Sequence, residues 1–285
     1  MDKHNAIWKC GGREYDLSKK PLLMGILNVT PDSFYDGGRH SGQKAAFEHA
    51  CRMAEEGADL IDVGGESSRP GSEPVGYREE RARVIPVIKK LAGKLKIPVS
   101  VDTYRAAVAM EAIDEGALLV NDISAMRLDP KMAEIVSRTG VSVCLMHMQG
   151  TPGNMQDNPR YGDVVKEIIK FLKERISYCV SRGIERKKIL VDPGIGFGKT
   201  VKHNLRIIKN IGKFRATGRP VLVGLSRKSF IGKLLGVEAG ERLYASVALN
   251  ALCAAGGAGV LRVHDVKETR QALDIIKYFV EGKNG

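Results

Sequence analysis

Eight short apolar runs recur along the chain, at 22–29, 60–65, 99–102, 118–122, 141–147, 189–194, 221–226 and 260–265. They are continuous rather than alternating, which suits strands buried on both faces and requires a parallel sheet with helices packed outside it. The stretches between and after them predict helices at about 42–56, 77–95, 104–115, 129–138, 161–182, 202–215, 239–256 and 266–281. Eight strands alternating with eight helices predict an α/β fold of one kind, a (β/α)₈ TIM barrel. Glycine stands just past five of the helices, at Gly57, Gly116, Gly140, Gly183 and Gly218, where the chain needs a residue that tolerates a left-handed turn. Ahead of the first run, residues 7–17 place two strand-like pieces around Gly11-Gly12, the pattern of a β-hairpin covering the amino-terminal mouth of the barrel.

Most runs end in polar or charged chemistry. Asn28, Glu66, Asp102, Asn121 with Asp122, His147, Asp192, Ser226 with Arg227 and Lys228, and Arg262 with His264 stand at or just beyond the strand tips. In a barrel of this kind the carboxyl ends of the strands converge on one site. Asp102, Asn121 and Asp192, with Lys228 entering from the seventh strand, form a hydrogen-bonding frame for a flat polar heterocycle. Carboxylates accept from ring N–H groups, an amide both donates and accepts, and an ammonium donates to a ring carbonyl. The same residues could instead be an internal ion pair, with Lys228 neutralising the acids. Arg262 and His264 share one strand face and suit an anion such as a leaving diphosphate. Asn28 can offer an oxygen to a hard cation. Nothing in the sequence decides between a core histidine and a ligand for His147. Two strand-to-helix loops, 30–42 and 67–76, are longer than packing requires; they carry Asp36 and Arg69 and are expected to close over the site.

Composition narrows the possibilities. At 285 residues the chain fits a single domain, 1–285, and 43% hydrophobic residues supply its core. No run of about 18 apolar residues would span a bilayer. The first sixteen residues carry charges throughout and no apolar segment, which predicts no secretory signal and cytoplasmic residence. The net charge of +12 favours an anionic substrate, while aromatics, at 6%, do not interleave with the basic residues as nucleic-acid binding would require. Five scattered cysteines, without metal spacing, read as structural thiols. Residues 243–259 are small or apolar around most of a helical circumference, so that helix packs either tightly within its own barrel or against a second copy.

The motifs MGILNVTPDSFYDGG (24–38), DVGGESSRPGS (62–72), DTYR (102–105), VNDIS (120–124), LMHMQGTP (145–152), DPGIGFGK (192–199), GLSRKSFIG (224–232) and RVHDV (262–266) together resemble the dihydropteroate synthases. The resemblance runs from about residue 21 to the end. It implies a transferase of folate biosynthesis that joins 6-hydroxymethyl-7,8-dihydropterin diphosphate to 4-aminobenzoate. It implies pterin contacts at Asp102, Asn121, Asp192 and Lys228, and Mg2+ with diphosphate at Asn28. Anion contacts fall to Arg262 and His264, and the aminobenzoate site to Lys228 and Ser229, with Phe34, Arg69 and Pro70 on the covering loops. Asp36, Lys228, Arg262 and His264 are the implied catalytic groups, and a homodimer is the expected assembly, with neither nucleic acid nor membrane as partner. Tyr35 and Gln149 depart from the pattern, the first where a smaller residue is expected and the second where a basic one is. Two alternatives stay open. A methyltransferase barrel that binds a pterin would share the frame without the diphosphate groups, and a non-catalytic relative would keep the frame and lose the loop chemistry.

Overall fold

The structure, a computed structural model, describes residues 6–30, 39–67 and 74–280. Strands β1 (Ile7–Cys10) and β2 (Arg13–Asp16) form the expected antiparallel hairpin. Gly11 and Gly12 both have positive φ, 56° and 76°, as a two-residue hairpin turn requires. The hairpin buries Trp8 and Cys10 completely or nearly so against Leu22, Leu60, Leu119, Leu190, Leu222 and Val260, which lie at or near the starts of the barrel strands. The amino-terminal mouth is thereby plugged with apolar side chains.

The remaining elements alternate except for two successive helices before the last strand: β3 (Leu22–Asn28), α1 (Arg39–Glu55), β4 (Leu60–Gly64), α2 (Tyr77–Lys94), β5 (Val99–Asp102), α3 (Ala106–Asp114), β6 (Leu119–Asp122), α4 (Met132–Thr139), β7 (Ser142–Met146), α5 (Val164–Ser181), β8 (Ile189–Asp192), α6 (Val201–Lys209), β9 (Leu222–Val223), α7 (Ser229–Leu235), α8 (Leu243–Ala255), β10 (Val260–Val263) and α9 (Val266–Val280). Strands β3 to β10 make one parallel sheet in the order β8-β7-β6-β5-β4-β3-β10-β9. A single bridge, Val191 to Val221, joins its two edges and closes the ring. Helix faces supply the outer layer; α2, for example, buries Val84, Val87, Ile88 and Leu91 at helical spacing. Among the described residues no helix is long and apolar enough to cross a membrane.

The five glycines read as helix stops all have positive φ, from 66° to 105°. The sixth and seventh units differ from the pattern. Helix α6 stops at Lys209 and continues as a tighter turn over Ile211–Thr217, where Gly212 approaches the backbone of Gly256 so closely that a Cβ would stand 2.9 Å from its carbonyl oxygen. Strand β9 keeps only two ladder residues of the six expected. Beyond it, a Cβ on Gly224 would lie 3.8 Å from Arg262 Cβ and 4.0 Å from Asp192 Oδ2, which places this backbone at the carboxyl mouth.

Candidate active site

Strand register sets the first row of the site. Asn28 pairs with Gly64, Gly64 with Asp102, and Asp102 with Asn121, so four adjacent strands end at one level. Gly64 keeps that row open: a Cβ there would stand 3.6 Å from Asp102 Oδ2 and 3.8 Å from Asn28 Oδ1. Arg262 reaches across from β10 and donates through Nε to Asp62 Oδ2 at 2.6 Å and through Nη2 to Asp102 Oδ2 at 2.7 Å. Asn121 Nδ2 donates to the same Asp62 oxygen at 2.9 Å. The other Asp62 oxygen, Oδ1, is buried without a hydrogen-bond partner among the described residues. A buried carboxylate oxygen left in that state is costly. It marks a place where a ligand donor would be welcome.

Asp62 was not among the residues singled out from sequence. Of the alternative weighed for these residues, an internal ion pair with Lys228, the bonds to Asp62 and Asp102 are made by Arg262 instead. Lys228, the residue before α7, donates to the carbonyl of Ile195 and sits 4.4 Å from the centre of the Phe197 ring. Asp192 is 5% exposed; its Oδ1 accepts from the Gly194 amide at 2.7 Å, which leaves Oδ2 near Gly224 and the mouth. Beside this polar floor, Ile123, Met146, Met148, Met155 and Phe197 form a separate apolar cluster, with Tyr104 against it. Acceptors on one side and soft apolar groups on the other suit the edge and the face of a flat heterocycle.

Burial governs the charges. It pushes the Asp102 carboxyl up to about 7, opposed by Arg262 and reinforced by Asp62. Asp192 is raised in the same way, with Lys228 pulling against the shift. Burial brings the Lys228 ammonium down to about 8, although Asp192 holds the charge. For Arg262 burial works against the charge, but Asp62 and Asp102 outweigh it and keep the guanidinium above its ordinary range. Three carboxylates thus share two cations across the floor, and the positive groups are drawn toward acids they can lend to a substrate.

The tips of β9 and β10 are fixed to each other. Ser226 Oγ accepts from the His264 amide at 3.3 Å and stands 3.1 Å from its Nδ1. Arg227, with φ of 55°, pairs with Asp265 through Nε at 2.9 Å and Nη2 at 2.5 Å. Ser229 opens α7 and is exposed. Glu66, at the second tip, accepts from Tyr104 Oη at 2.8 Å and Arg105 Nη1 at 2.6 Å. His147, left open from sequence, lies against Lys199 with Nδ1 3.1 Å from Nζ; its backbone amide donates to the Asp192 carbonyl at 2.9 Å, and among the described residues its ring makes no bond to the acid side chains. Gln149, where a basic residue was expected, exchanges hydrogen bonds with the backbone of Arg160, both at 3.1 Å. Phe34, Tyr35, Asp36, Arg69 and Pro70 lie outside the described residues.

A polar floor of acids and an amide at the carboxyl end of a (β/α)₈ barrel, walled by apolar side chains, defines a pterin-binding enzyme, and residues 24–264 match the family of that description. The dihydropteroate synthase of Escherichia coli strain K12 is 46% identical over 272 residues, covering 95% of this chain and 96% of that one. Among solved structures, a Yersinia pestis dihydropteroate synthase in complex with a sulfonamide drug matches with a TM-score of 0.91 at 46% identity, covering 96% of this chain and 99% of that one. A Xanthomonas albilineans dihydropteroate synthase in complex with 7,8-dihydropteroate matches with a TM-score of 0.87 at 42% identity, over 98% and 100% of the two chains. The chain belongs to the dihydropteroate synthase family and is a transferase of folate biosynthesis.

Proposed function

We propose that the carboxyl mouth of the barrel condenses 6-hydroxymethyl-7,8-dihydropterin diphosphate with 4-aminobenzoate, releasing diphosphate by a dissociative, SN1-like path. The observation that carries the proposal is the buried array Asp62–Arg262–Asp102 with Asn121 on it, one acid oxygen of which has no partner. In this reading Asp62, Asp102, Asn121 and Asp192 accept from the ring N–H and amino groups, and Lys228 donates to the ring carbonyl. The bond between the methylene carbon and the diphosphate oxygen breaks with its electron pair leaving on oxygen. The positive charge left on the dihydropterin is favoured by the acids around it, and the negative charge on diphosphate by cations. Arg262 has five N–H donors, two of which serve Asp62 and Asp102, so others can face the anion beside His264. The neutral amine then attacks the methylene carbon and loses its proton afterwards, so no strong base is needed. Lys228 and Ser229 receive the aminobenzoate carboxylate, and Phe34, Asp36, Arg69 and Pro70 belong to the covering loops.

Among the described residues no three His, Cys, Asp or Glu side chains cluster as a metal site. Asn28 offers one hard oxygen, 3.8 Å from the Cβ position of Gly64 in the row that runs on through Asp102 to Asn121. That donor set does not fit a metal held by protein alone, but it fits magnesium carried by diphosphate oxygens with Asn28 as a single protein contact. Bound there, the metal would supply charge stabilisation to the leaving group. The exposed Tyr244 and Leu252 on α8, 84% and 63% accessible, support pairing of two copies through that helix. A product assay with both substrates, with and without a chelator, tests the reading. We expect dihydropteroate from both substrates together, its formation stopped by chelation and restored by magnesium, from a species sedimenting at twice 31.1 kDa. Turnover indifferent to chelation would remove the metal from Asn28, and no product at all would remove the reading.

A further inference from the structure

The turn after β8, residues 194–198, is held on every side. Its four carbonyls from Ile195 to Gly198 each accept a side-chain donor: Ile195 from Lys228, Gly196 from Gln156 at 2.6 Å, Phe197 from Lys199 at 2.8 Å and Gly198 from Tyr161 at 2.8 Å. Its glycines leave no room for substitution, since a Cβ on Gly194 would stand 1.9 Å from the His147 carbonyl oxygen and one on Gly198 2.6 Å from that of Gln149. The turn carries Phe197, whose ring lies 4.4 Å from Lys228 Nζ. At its centre is Lys199, only 3% exposed. The three contacts of its Nζ are Phe197 O at 2.8 Å, His147 Nδ1 at 3.1 Å and His147 O at 3.3 Å, all neutral groups. Burying an amine whose hydrogen bonds all go to neutral groups is costly even with Asp192 near enough to favour its charge, and a neutral apolar side chain would fill the space more cheaply. Burial accordingly brings Lys199 well below its ordinary range, and burial together with Lys199 does the same to His147. A group retained at such cost, bonded to the tip of one strand and the turn after the next, is there for geometry.

We propose that Lys199 and His147 are a positioning pair that ties the tip of β7 to the turn after β8, holding Phe197 beside Lys228 and so shaping the subsite for the aromatic amine. The pair touches neither substrate. Of the pterin frame, Asp62, Asp102 and Asn121 stand on other strands, while Asp192 and Lys228 bond the turn itself, through the Gly194 amide and the Ile195 carbonyl. This inference rests on the proposed reaction for its kinetic arm, and wild-type turnover of both substrates tests that reaction first. In Lys199→Met the stem still fills its space but the three bonds are lost. KM for 4-aminobenzoate should then rise about ten-fold or more, as sub-ångström to ångström displacement of a positioning group does. Affinity for the bare pterin, measured by calorimetry, should fall by clearly less than KM rises, because Asp62, Asp102 and Asn121 keep their places off the turn. Equal losses for both ligands, or an unchanged KM, would overturn the pair's role. A second comparison covers the case in which Lys199→Met does not fold. His147→Leu removes the Nδ1 acceptor, while His147→Asn places an amide oxygen near the same point and should recover most of what the leucine variant loses; equal KM values in the two would overturn the proposal. Hydrogen exchange over residues 194–198, which needs no turnover, should be slow in the wild type and faster in Lys199→Met and His147→Leu. Exchange unchanged by either substitution would overturn it whatever the reaction is found to be.

Discussion

Replacing Arg262 with methionine should lower kcat/KM for the dihydropterin diphosphate by about 10² to 10³-fold. Among the described residues the guanidinium is the one group that bonds both Asp62 and Asp102, at 2.6 and 2.7 Å. Removing one partner of a buried ion pair costs about 3–5 kcal/mol, because the charge left behind has neither water nor counter-ion. The acids respond by holding protons, and a protonated carboxyl loses the charge that strengthens its bond from a ring N–H group. From sequence, Arg262 was placed at the diphosphate; its position between two acids of the pterin floor means that bare-pterin affinity should fall as well. A pH series distinguishes this from simple loss of an anion contact. In the wild type kcat/KM should rise as Asp102 ionises near about 7 and fall as Lys228 loses its proton near about 8. Arg262 lowers the Asp102 value, so the methionine variant should move the rising limb to higher pH. Stability follows the same acid. Its folded pKa lies above the ordinary 3.8, so its ionisation weighs against the fold only as pH rises from about 4 through about 7 and not below that window. The variant should therefore lose more thermal stability at pH 8 than at pH 4. An unmoved limb with intact bare-pterin affinity would show that Arg262 serves the anion alone.

Asp192→Asn should weaken pterin binding by about 1.5–3 kcal/mol, or about 10- to 150-fold. Asp192 Oδ1 is committed to the Gly194 amide at 2.7 Å, so the substituted side chain would keep its carbonyl oxygen there. Its NH2 would then occupy the place of Oδ2, turning a donor toward the donors of the ring. The change also removes the charge that holds the Lys228 proton, so the falling limb of the pH profile should move below about 8. Calorimetry of a bare pterin reads the first effect and the pH series the second. Unchanged affinity would take Asp192 out of the pocket.

The barrel was legible because its strands are apolar on both faces, and the same property concealed its central acid. Ile61 and Val63 face the layer between sheet and helices, while Leu60 packs in the plug beneath the barrel. Asp62 has the parity of Leu60 and Gly64 and so points inward, yet in the run LIDVG it reads as an interruption rather than as a site residue. Strand alternation alone could have found it. The parity of Val260, Arg262 and His264 was readable, and it does put Arg262 inside. Its partners were not, because a bond between residues 200 positions apart depends on β10 closing beside β3 and so reaching β4. Lys199 escaped notice for another reason. It lies seven residues past Asp192, and only the fold of the glycine turn brings it back to His147. The shortness of β9 likewise reflects a backbone that leaves the ladder to enter the mouth, which an apolar run does not reveal.

The central claim is that the floor of acids favours a dihydropterin cation before the amine arrives. Positional isotope exchange tests it most directly. The enzyme is given dihydropterin diphosphate with ¹⁸O in the bridge between methylene carbon and α-phosphorus, together with magnesium and without 4-aminobenzoate. If the carbon–oxygen bond breaks first and can re-form, the label should migrate from the bridge to the non-bridging α-oxygens at a rate comparable with turnover. A label that stays in the bridge, in an enzyme that makes dihydropteroate once the amine is added, would contradict a dissociative reaction at this site.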